Sequence, residues 1–199
     1  MGRTIAIVNQ KGGVGKSTTA VNLGAYLAVL GKRVLLVDID PQGNATSGVG
    51  VEKSKLDQCM YSVLIDGVDP VEIIKKTEVD GYDVAPATIA LAGAEIELVP
   101  AMSREYRLKR ALEKVVDSYD YILIDSPPSL GLLTVNGLSA ADGVIVPIQS
   151  EYYALEGLSQ LMNTIEMVQT HLNPKLQVDG VVLTMFDART NLSQQVLED

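Results

Sequence analysis

The sequence predicts an α/β fold, a doubly wound and mostly parallel sheet with helices on both faces. Strand-like and helix-like segments alternate along the whole chain, as is typical of parallel strands joined by right-handed helical crossovers. The strand-like segments are short and almost continuously apolar, as buried parallel strands are. The 199 residues include 17 glycines, one phenylalanine and no tryptophan. The core must therefore be built mainly from Val, Ile, Leu and Ala.

The chain opens with a strand, a glycine-rich loop and a helix. Residues 4–9 form an apolar run that is too short for a lone helix, and the loop follows at once. Apolar residues then recur at helical spacing from Lys16 to Leu30, and Gly31 stands where a C-terminal cap belongs. This order of elements places the loop at the carboxyl end of a buried strand.

Further strands are expected at residues 33–37, 82–86, 121–124, 144–148 and 181–186. Ser103 is expected to cap a helix that runs to about residue 116, with Leu108, Leu112 and Val115 facing inward. A second long amphipathic helix is expected from about residue 153 to residue 171.

The remaining segments predict shorter helices. Residues 52–80 indicate short helices around Leu64 and Ile74, divided at Asp69-Pro70. Residues 190–199 begin what looks like another helix, and no closing element follows. We therefore expect residues 1–199 to be one domain that is truncated at its C-terminus.

Composition excludes several classes of protein. The lone Cys59 cannot form an internal disulfide or supply a four-thiolate metal site, which favours a cytosolic protein. No basic-then-apolar leader precedes the first strand, and no apolar stretch reaches the length of a membrane span. The net charge of −9 opposes strong non-specific attraction to nucleic acid, so that any contact with DNA must be local and conditional.

A phosphate-binding loop is the most specific motif. Residues 10–17 match the G-x-x-x-x-G-K-[ST] pattern at Gly15, Lys16 and Ser17 but lack its first glycine. Glycines at positions 12, 13 and 15, around Val14, let successive N–H groups turn toward one anion at the start of a helix. Lys16 would reach the β and γ phosphates of ATP, Ser17 would ligate Mg²⁺, and Thr18 would bond a nearer phosphate. The alternative is a glycine turn with no ligand, which the adjacent Lys-Ser pair disfavours.

Acidic residues follow two of the expected strands. A site for a magnesium–nucleotide complex needs a carboxylate at a strand end, and Asp125 is the candidate. Asp38 and Asp40 point the same way on an extended segment, so that both could face the phosphates, with Asp38 as a further metal candidate. The alternative for each is a turn or a helix cap. Lys11 adds a second cation inside the loop, which meets phosphate charge or is simply solvated.

Three segments carry a family resemblance: Lys11-Gly-Gly-Val-Gly-Lys-Ser-Thr18, Val37-Asp-Ile-Asp-Pro-Gln-Gly-Asn44 and Ile122-Leu-Ile-Asp-Ser-Pro-Pro-Ser129. They resemble the deviant Walker A, A′ and B motifs of ParA/MinD-type P-loop ATPases. The stretches at 91–98, 151–158 and 183–190 resemble the chromosomal ParA proteins of the Soj type, so that the resemblance covers essentially the whole chain.

The resemblance implies roles for individual residues. Lys11 would be the signature lysine that reaches across an ATP-bound sandwich dimer to the phosphates of the partner, and Gly12 would lie where the two subunits approach. Lys11, Lys16 and Asp40 would be the catalytic residues, with Asp40 orienting the attacking water. Ser17 and Asp125 would hold Mg²⁺ directly and through water.

The resemblance also implies a function. Family members are cytoplasmic, nucleoid-associated ATPases of chromosome partitioning that bind duplex DNA non-specifically as the ATP dimer. A ParB-type centromere-binding partner stimulates hydrolysis, and replication initiation or sporulation can be regulated as well, with the replication initiator as a further partner. Arg189 matches a position implicated in DNA contact. The family continues beyond residue 199 into a segment that helps recognise adenine and adds basic residues.

Other functions remain open at this point. A MinD-like, membrane-associated regulator of division-site placement uses the same loop but needs a C-terminal amphipathic helix. A small-molecule ligase would need a substrate pocket, and an electron-transfer reductase would need more cysteines than Cys59. The basic residues of 104–114 are interleaved with Glu105 and Glu113, and we interpret that helix as a solvated face.

Overall fold

The computed structural model describes residues 2–149, 154–187 and 189. Within them, seven strands form one sheet in the order β3-β4-β2-β5-β1-β6-β7. The strands are β1 (Arg3–Ile7), β2 (Val34–Asp38), β3 (Lys75–Lys76), β4 (Tyr82–Ala85), β5 (Tyr121–Asp125), β6 (Gly143–Gln149) and β7 (Gln177–Thr184). Every neighbouring pair is parallel except β3 with β4. This arrangement confirms the predicted doubly wound, mostly parallel sheet.

Helices cover both faces of the sheet. They are α1 (Lys16–Val29), α2 (Asn44–Gly48), α3 (Pro70–Ile73), α4 (Leu91–Glu97), α5 (Arg107–Leu112), α6 (Leu132–Ala140) and α7 (Ala154–His171). Buried residues of α1 and α2 pack on one face, and those of α4 to α7 pack on the other. Because the central strands β1, β2 and β5 are buried on both faces, their carboxyl ends are fixed by the two apolar cores.

Helix α1 packs closely on the sheet through small side chains. Its buried positions include Ala20, Gly24 and Ala28, whereas Leu30 is exposed. The hydroxyl of Tyr82 on β4 donates to the backbone oxygens of Ala20 and Val21. The helix ends in the Schellman arrangement, because the N–H of Gly31 bonds Ala28 and that of Lys32 bonds Leu27. Gly31 has a φ of 78°, which confirms the predicted cap.

The helix expected after Ser103 is wrong in its start and its length. Ser103 has a φ of 52° and makes no side-chain cap, a 3₁₀ turn spans Arg104–Tyr106, and α5 is only Arg107–Leu112. The first turn of α5 is capped instead by Asn136 of α6, whose side-chain oxygen accepts from the N–H of Leu108. Leu108, Leu112 and Val115 are buried as predicted.

Two other boundaries differ from the sequence prediction. Strand β7 begins four residues before the expected position, since its exposed edge carries polar residues that hide the strand pattern. It ends at Thr184, because Met185 takes a left-handed conformation with a φ of 53°. The short helices around Leu64 and Ile74 appear as a π-helical turn at Ser62–Asp66 and as α3, which Asp69 caps through the N–H of Val71. The helix predicted at 190–199 lies outside the described residues.

Candidate functional site

The glycine-rich loop runs from the end of β1 to the start of α1. Gly13 and Gly15 have φ values of 77° and 86°, a conformation that other residues adopt only with strain. Gly15 is the N-cap and supplies no side chain to bond the first turn of α1. The backbone N–H groups of that turn are thus left for an anion, which the positive end of the helix dipole also attracts.

Lys16 is folded into this loop. Its side chain is buried, and Nζ donates to the backbone oxygen of Lys11 over 3.0 Å. Burial lowers the pKa of Lys16, and the charges of Asp125 and Asp40 oppose this shift. A cation is therefore held at the centre of the loop with two carboxylates close enough to act on it.

Two aspartates meet at the ends of neighbouring strands. Asp38 on β2 and Asp125 on β5 are register partners, and both are completely buried. Burial, and next the charge of Asp38, raise the pKa of Asp125 to about 8. The hydroxyl of Ser17 lies close enough to Asp125 to oppose this shift. By ordinary hydrogen-bond geometry, however, neither carboxylate oxygen of Asp125, nor the hydroxyl of Ser126, has a partner among the described residues. Buried polar atoms without partners are rare, and here they suit a hydrated cation.

Asp38 is engaged in a different way. One of its oxygens accepts from the N–H and the hydroxyl of Thr46 over 2.8 and 2.7 Å, and the other accepts from the N–H of Asp40. The hydroxyl of Thr46 in turn accepts from the N–H of Ala87, after β4. Burial raises the pKa of Asp38 to about 6, although the bonds from Thr46 oppose the shift. This network ties the ends of β2 and β4 to α2 and disfavours Asp38 as a metal ligand.

A cavity of about 430 Å³ lies over the loop. Seven of the residues that line it belong to the site predicted from the sequence: Gly12, Gly13, Gly15, Lys16, Ser17, Thr18 and Asp40. Asp40 therefore faces the cavity as expected, whereas Asp38 and Asp125 lie beneath its lining. Val14 is buried under the loop. The cavity also has four lining residues that sequence reasoning missed: Gln42, Asn44, Pro128 and Met185.

Strand β7 holds the far side of the loop. The hydroxyl of Thr184 donates to the backbone oxygen of Val14 over 2.8 Å, and Met185 follows it into the lining of the cavity. The φ of 86° already favours glycine at position 15, and a Cβ atom there would also lie 3.3 Å from the methyl carbon of Thr184. No local sequence signal links positions 14 and 184, because the contact depends on the pairing of β6 with β7.

Lys11 and Arg189 are both exposed. The backbone of Lys11 is fixed, since its N–H bonds Asn9 Oδ1 and its oxygen accepts from Lys16. Arg189 makes a bidentate pair with Asp187, with Nε–Oδ1 and Nη2–Oδ2 distances of 2.9 and 2.7 Å. This pair lowers the pKa of Asp187. The Arg189 side chain remains 89% exposed and so faces solvent.

The described part of the chain has neither a cluster of metal-binding side chains nor a membrane-spanning helix. Among these residues, no group of three or more His, Cys, Asp or Glu side chains is arranged to hold a metal ion by itself. Mg²⁺ in nucleotide sites usually takes few protein ligands, together with phosphates and water, so this result fits the cavity. Of the helices described, none has both the length and the apolarity needed to cross a bilayer.

Comparisons with known proteins agree with this geometry. An AAA domain family model matches residues 2–178. The sporulation initiation inhibitor protein Soj of Bacillus subtilis is 68% identical over 199 residues, which are 100% of this chain and 79% of that protein. The chromosome partitioning protein ParA of Myxococcus xanthus is 54% identical over 199 residues, covering 100% of this chain and 70% of ParA.

A solved structure is similar across the whole fold. It is described as cobyrinic acid a,c-diamide synthase from Mycobacterium smegmatis with bound ADP and magnesium, and it is 47% identical with a TM-score of 0.96. The match covers 100% of this chain and 81% of that one. The two proteins therefore share the arrangement of their strands and loops as well as sequence.

Proposed function

Because the chain belongs to the Soj/ParA family of chromosome-partitioning ATPases, we propose that it is an ATP-dependent dimerising switch. In this proposal the protein binds ATP with Mg²⁺, dimerises, associates with duplex DNA without sequence preference, and returns to the monomer when ATP is hydrolysed. The observation that carries the proposal is the burial of Lys16 in a loop of positive-φ glycines, close enough to Asp125 and Asp40 for their charges to act on it.

The residues around the cavity take the following roles. Backbone N–H groups at the start of α1 and the ammonium of Lys16 bind the phosphates, and Thr18 contacts the phosphate nearest to it. Ser17 and, through water, Asp125 would hold Mg²⁺, which would supply positive charge next to the phosphates. The proximity of Ser17 to Asp125, whose carboxylate oxygens make no hydrogen bond of ordinary geometry among the described residues, supports this assignment. Asp40 lines the cavity and orients the attacking water.

Dimerisation completes the site in this proposal. Lys11 is exposed next to the cavity, where a second copy can present its own Lys11 to the bound phosphates. Gly12 is exposed as well, and a Cβ atom there would meet nothing closer than Pro128 at 4.0 Å. Packing within one chain therefore does not require glycine at position 12. Glycine there would instead let a second copy approach closely.

The DNA surface includes Arg189 in this proposal. Its guanidinium is exposed, and a phosphate could compete for it with Asp187. Binding to DNA in the ATP state would place the protein at the nucleoid. A ParB-type partner would stimulate hydrolysis and so release the protein from DNA. Regulation of replication initiation, through the initiator, or of sporulation would follow from the same switch, since the sporulation inhibitor Soj is 68% identical.

One alternative rests on a specific similarity. The M. smegmatis structure carries the name of a diamide synthase, so an ATP-consuming ligase that acts on a small acid is the second candidate. Such an enzyme would turn ATP over in response to its acid and an amine donor, independently of DNA. A MinD-like regulator, by contrast, would respond to lipid vesicles alone.

ATP turnover separates these functions. Turnover should be slow for the protein alone, unchanged by vesicles, and raised when duplex DNA and an N-terminal peptide of a candidate ParB-type partner are added together. Lys16→Ala is the negative control and should lose nucleotide binding. Binding of the protein to duplex DNA should require ATP, and its affinity should fall steeply as the salt concentration rises. Stimulation by vesicles alone, or by a small acid without DNA, would overturn the partition assignment.

A further inference from the structure

A second cavity, of about 160 Å³, lies on the sheet face opposite to α1. Part of its lining is apolar and comes from Val63, Val68 and Pro70, in and after the π-helical turn. Gly67 lies among them, and the opposite wall comes from α5 and the turn that follows it and is mostly basic. None of its lining residues lines the nucleotide cavity.

Three cations line this cavity: Arg107, Arg110 and Lys114. They are three and four residues apart, so that they lie on one side of the helical segment. The segment continues past α5 to Lys114, whose N–H donates to the backbone oxygen of Ala111. The sequence indicates a solvated face here, whereas in the structure these three side chains line a cavity.

The cations are only partly neutralised. Lys114 pairs with Asp69, with an Nζ–Oδ2 distance of 3.0 Å. Within the described residues, Arg107 and Arg110 make no ion pair and no side-chain hydrogen bond, and Nε of Arg107 is buried without an acceptor. A buried guanidinium N–H without an acceptor is costly, and a protein of net charge −9 has many carboxylates that could have supplied one.

We propose that this cavity binds an oxyanion, the phosphate or carboxylate group of a small ligand, whose apolar stem packs on Val63, Val68 and Pro70. The planar donors of Arg107 and Arg110 suit two oxygens of one such group, and Lys114 adds a third positive charge. The volume of the cavity limits the bound group to about the size of one side chain.

Methyl NMR on the full chain tests the proposal. The protein is first saturated with ADP and Mg²⁺, so that the phosphate loop is occupied, and is then titrated separately with inorganic phosphate and with glutarate. Methyl resonances of Val63, Val68 and Ala111 should shift and saturate in at least one titration. Phosphate and glutarate both carry oxyanions. The one that binds with the lower dissociation constant shows whether the cavity prefers a phosphate or a carboxylate group.

A pair of neighbouring substitutions supplies the control. Arg110 is exposed, so Arg110→Gln should fold normally and weaken binding by about tenfold through loss of a charge-assisted hydrogen bond. Lys109→Gln removes the same charge one residue away, but Lys109 lines a different cavity, so affinity should stay within about twofold. Unsaturated or absent methyl shifts in both titrations, or equal weakening in the two variants, would overturn the proposal.

Discussion

The hydroxyl of Thr184 donates a hydrogen bond to the backbone oxygen of Val14 over 2.8 Å, and this bond joins the end of β7 to the phosphate loop. The same hydroxyl lies 3.3 Å from the backbone oxygen of Ile148 on β6. The shape of the loop thus depends on a residue 170 positions away in the chain. It also follows that a strand at the edge of the sheet positions the groups that would bind nucleotide.

Thr184→Val should weaken ATP binding about fivefold, because the loss of one part-buried hydrogen bond costs about 1 kcal/mol and frees the loop. Isothermal titration with ATP and Mg²⁺ measures the effect. Thr164→Val is the matched control, since the hydroxyl of Thr164 bonds only Gln160 within α7. Equal affinity for the two variants would show that β7 does not position the loop.

Asp38→Ala and Asp40→Ala should separate stability from catalysis. Loss of the Asp38 carboxylate leaves two donors of Thr46 and the N–H of Asp40 without their acceptor, so the free energy of unfolding should fall by about 3 kcal/mol. Asp40→Ala should keep its stability within about 1 kcal/mol, bind ATP, accumulate dimer and lose turnover. Chemical denaturation and ATPase assays measure both. Normal hydrolysis by Asp40→Ala would refute its assigned role.

The sequence predicts the local parts of this site better than its long-range parts. The loop, its lysine and Asp125 stand at strand ends that apolar runs reveal, and the structure places them together. Thr46 and Thr184 carry no such local signal, because their partners come from other strands. The cap of α5 was missed for the same reason, as Asn136 lies 28 residues from Leu108. Exposed edge residues likewise hid the start of β7.

Gly24→Ala should destabilise the protein, although alanine is ordinarily the better residue in a helix. A Cβ atom on Gly24 would lie 2.4 Å from the hydroxyl oxygen of Tyr82, which is buried and cannot move away cheaply. The expected loss is about 2 kcal/mol in the free energy of unfolding. Gly93→Ala in α4 is the control, because its Cβ atom would meet the flexible end of Glu97 at 3.2 Å and otherwise only make ordinary contact with Tyr61 at 3.8 Å. If Gly24→Ala is as stable as Gly93→Ala, α1 does not pack as described.

Gly12→Val should leave the fold and ATP binding intact but prevent dimerisation. The Cβ atom of the added side chain has room within one chain, and the side chain would occupy the surface that a second copy must approach. Light scattering with ATP and Mg²⁺ measures the mass of the particle, and thermal unfolding measures stability. Gly180→Val adds the same side chain at an open position on β7 and should dimerise normally. A Gly12→Val dimer formed with ATP would contradict the proposed interface.

The central claim is that Lys11 of one copy completes the site of the other, and mixing two inactive variants tests it most directly. Lys11→Ala keeps an intact Asp40, while Asp40→Ala keeps an intact Lys11, so that only a mixed dimer contains one complete site. Equal amounts of the two should recover roughly a quarter of wild-type ATP turnover, since half of the dimers are mixed and one of their two sites is complete. If the mixture stays as inactive as its components, Lys11 does not act across a dimer.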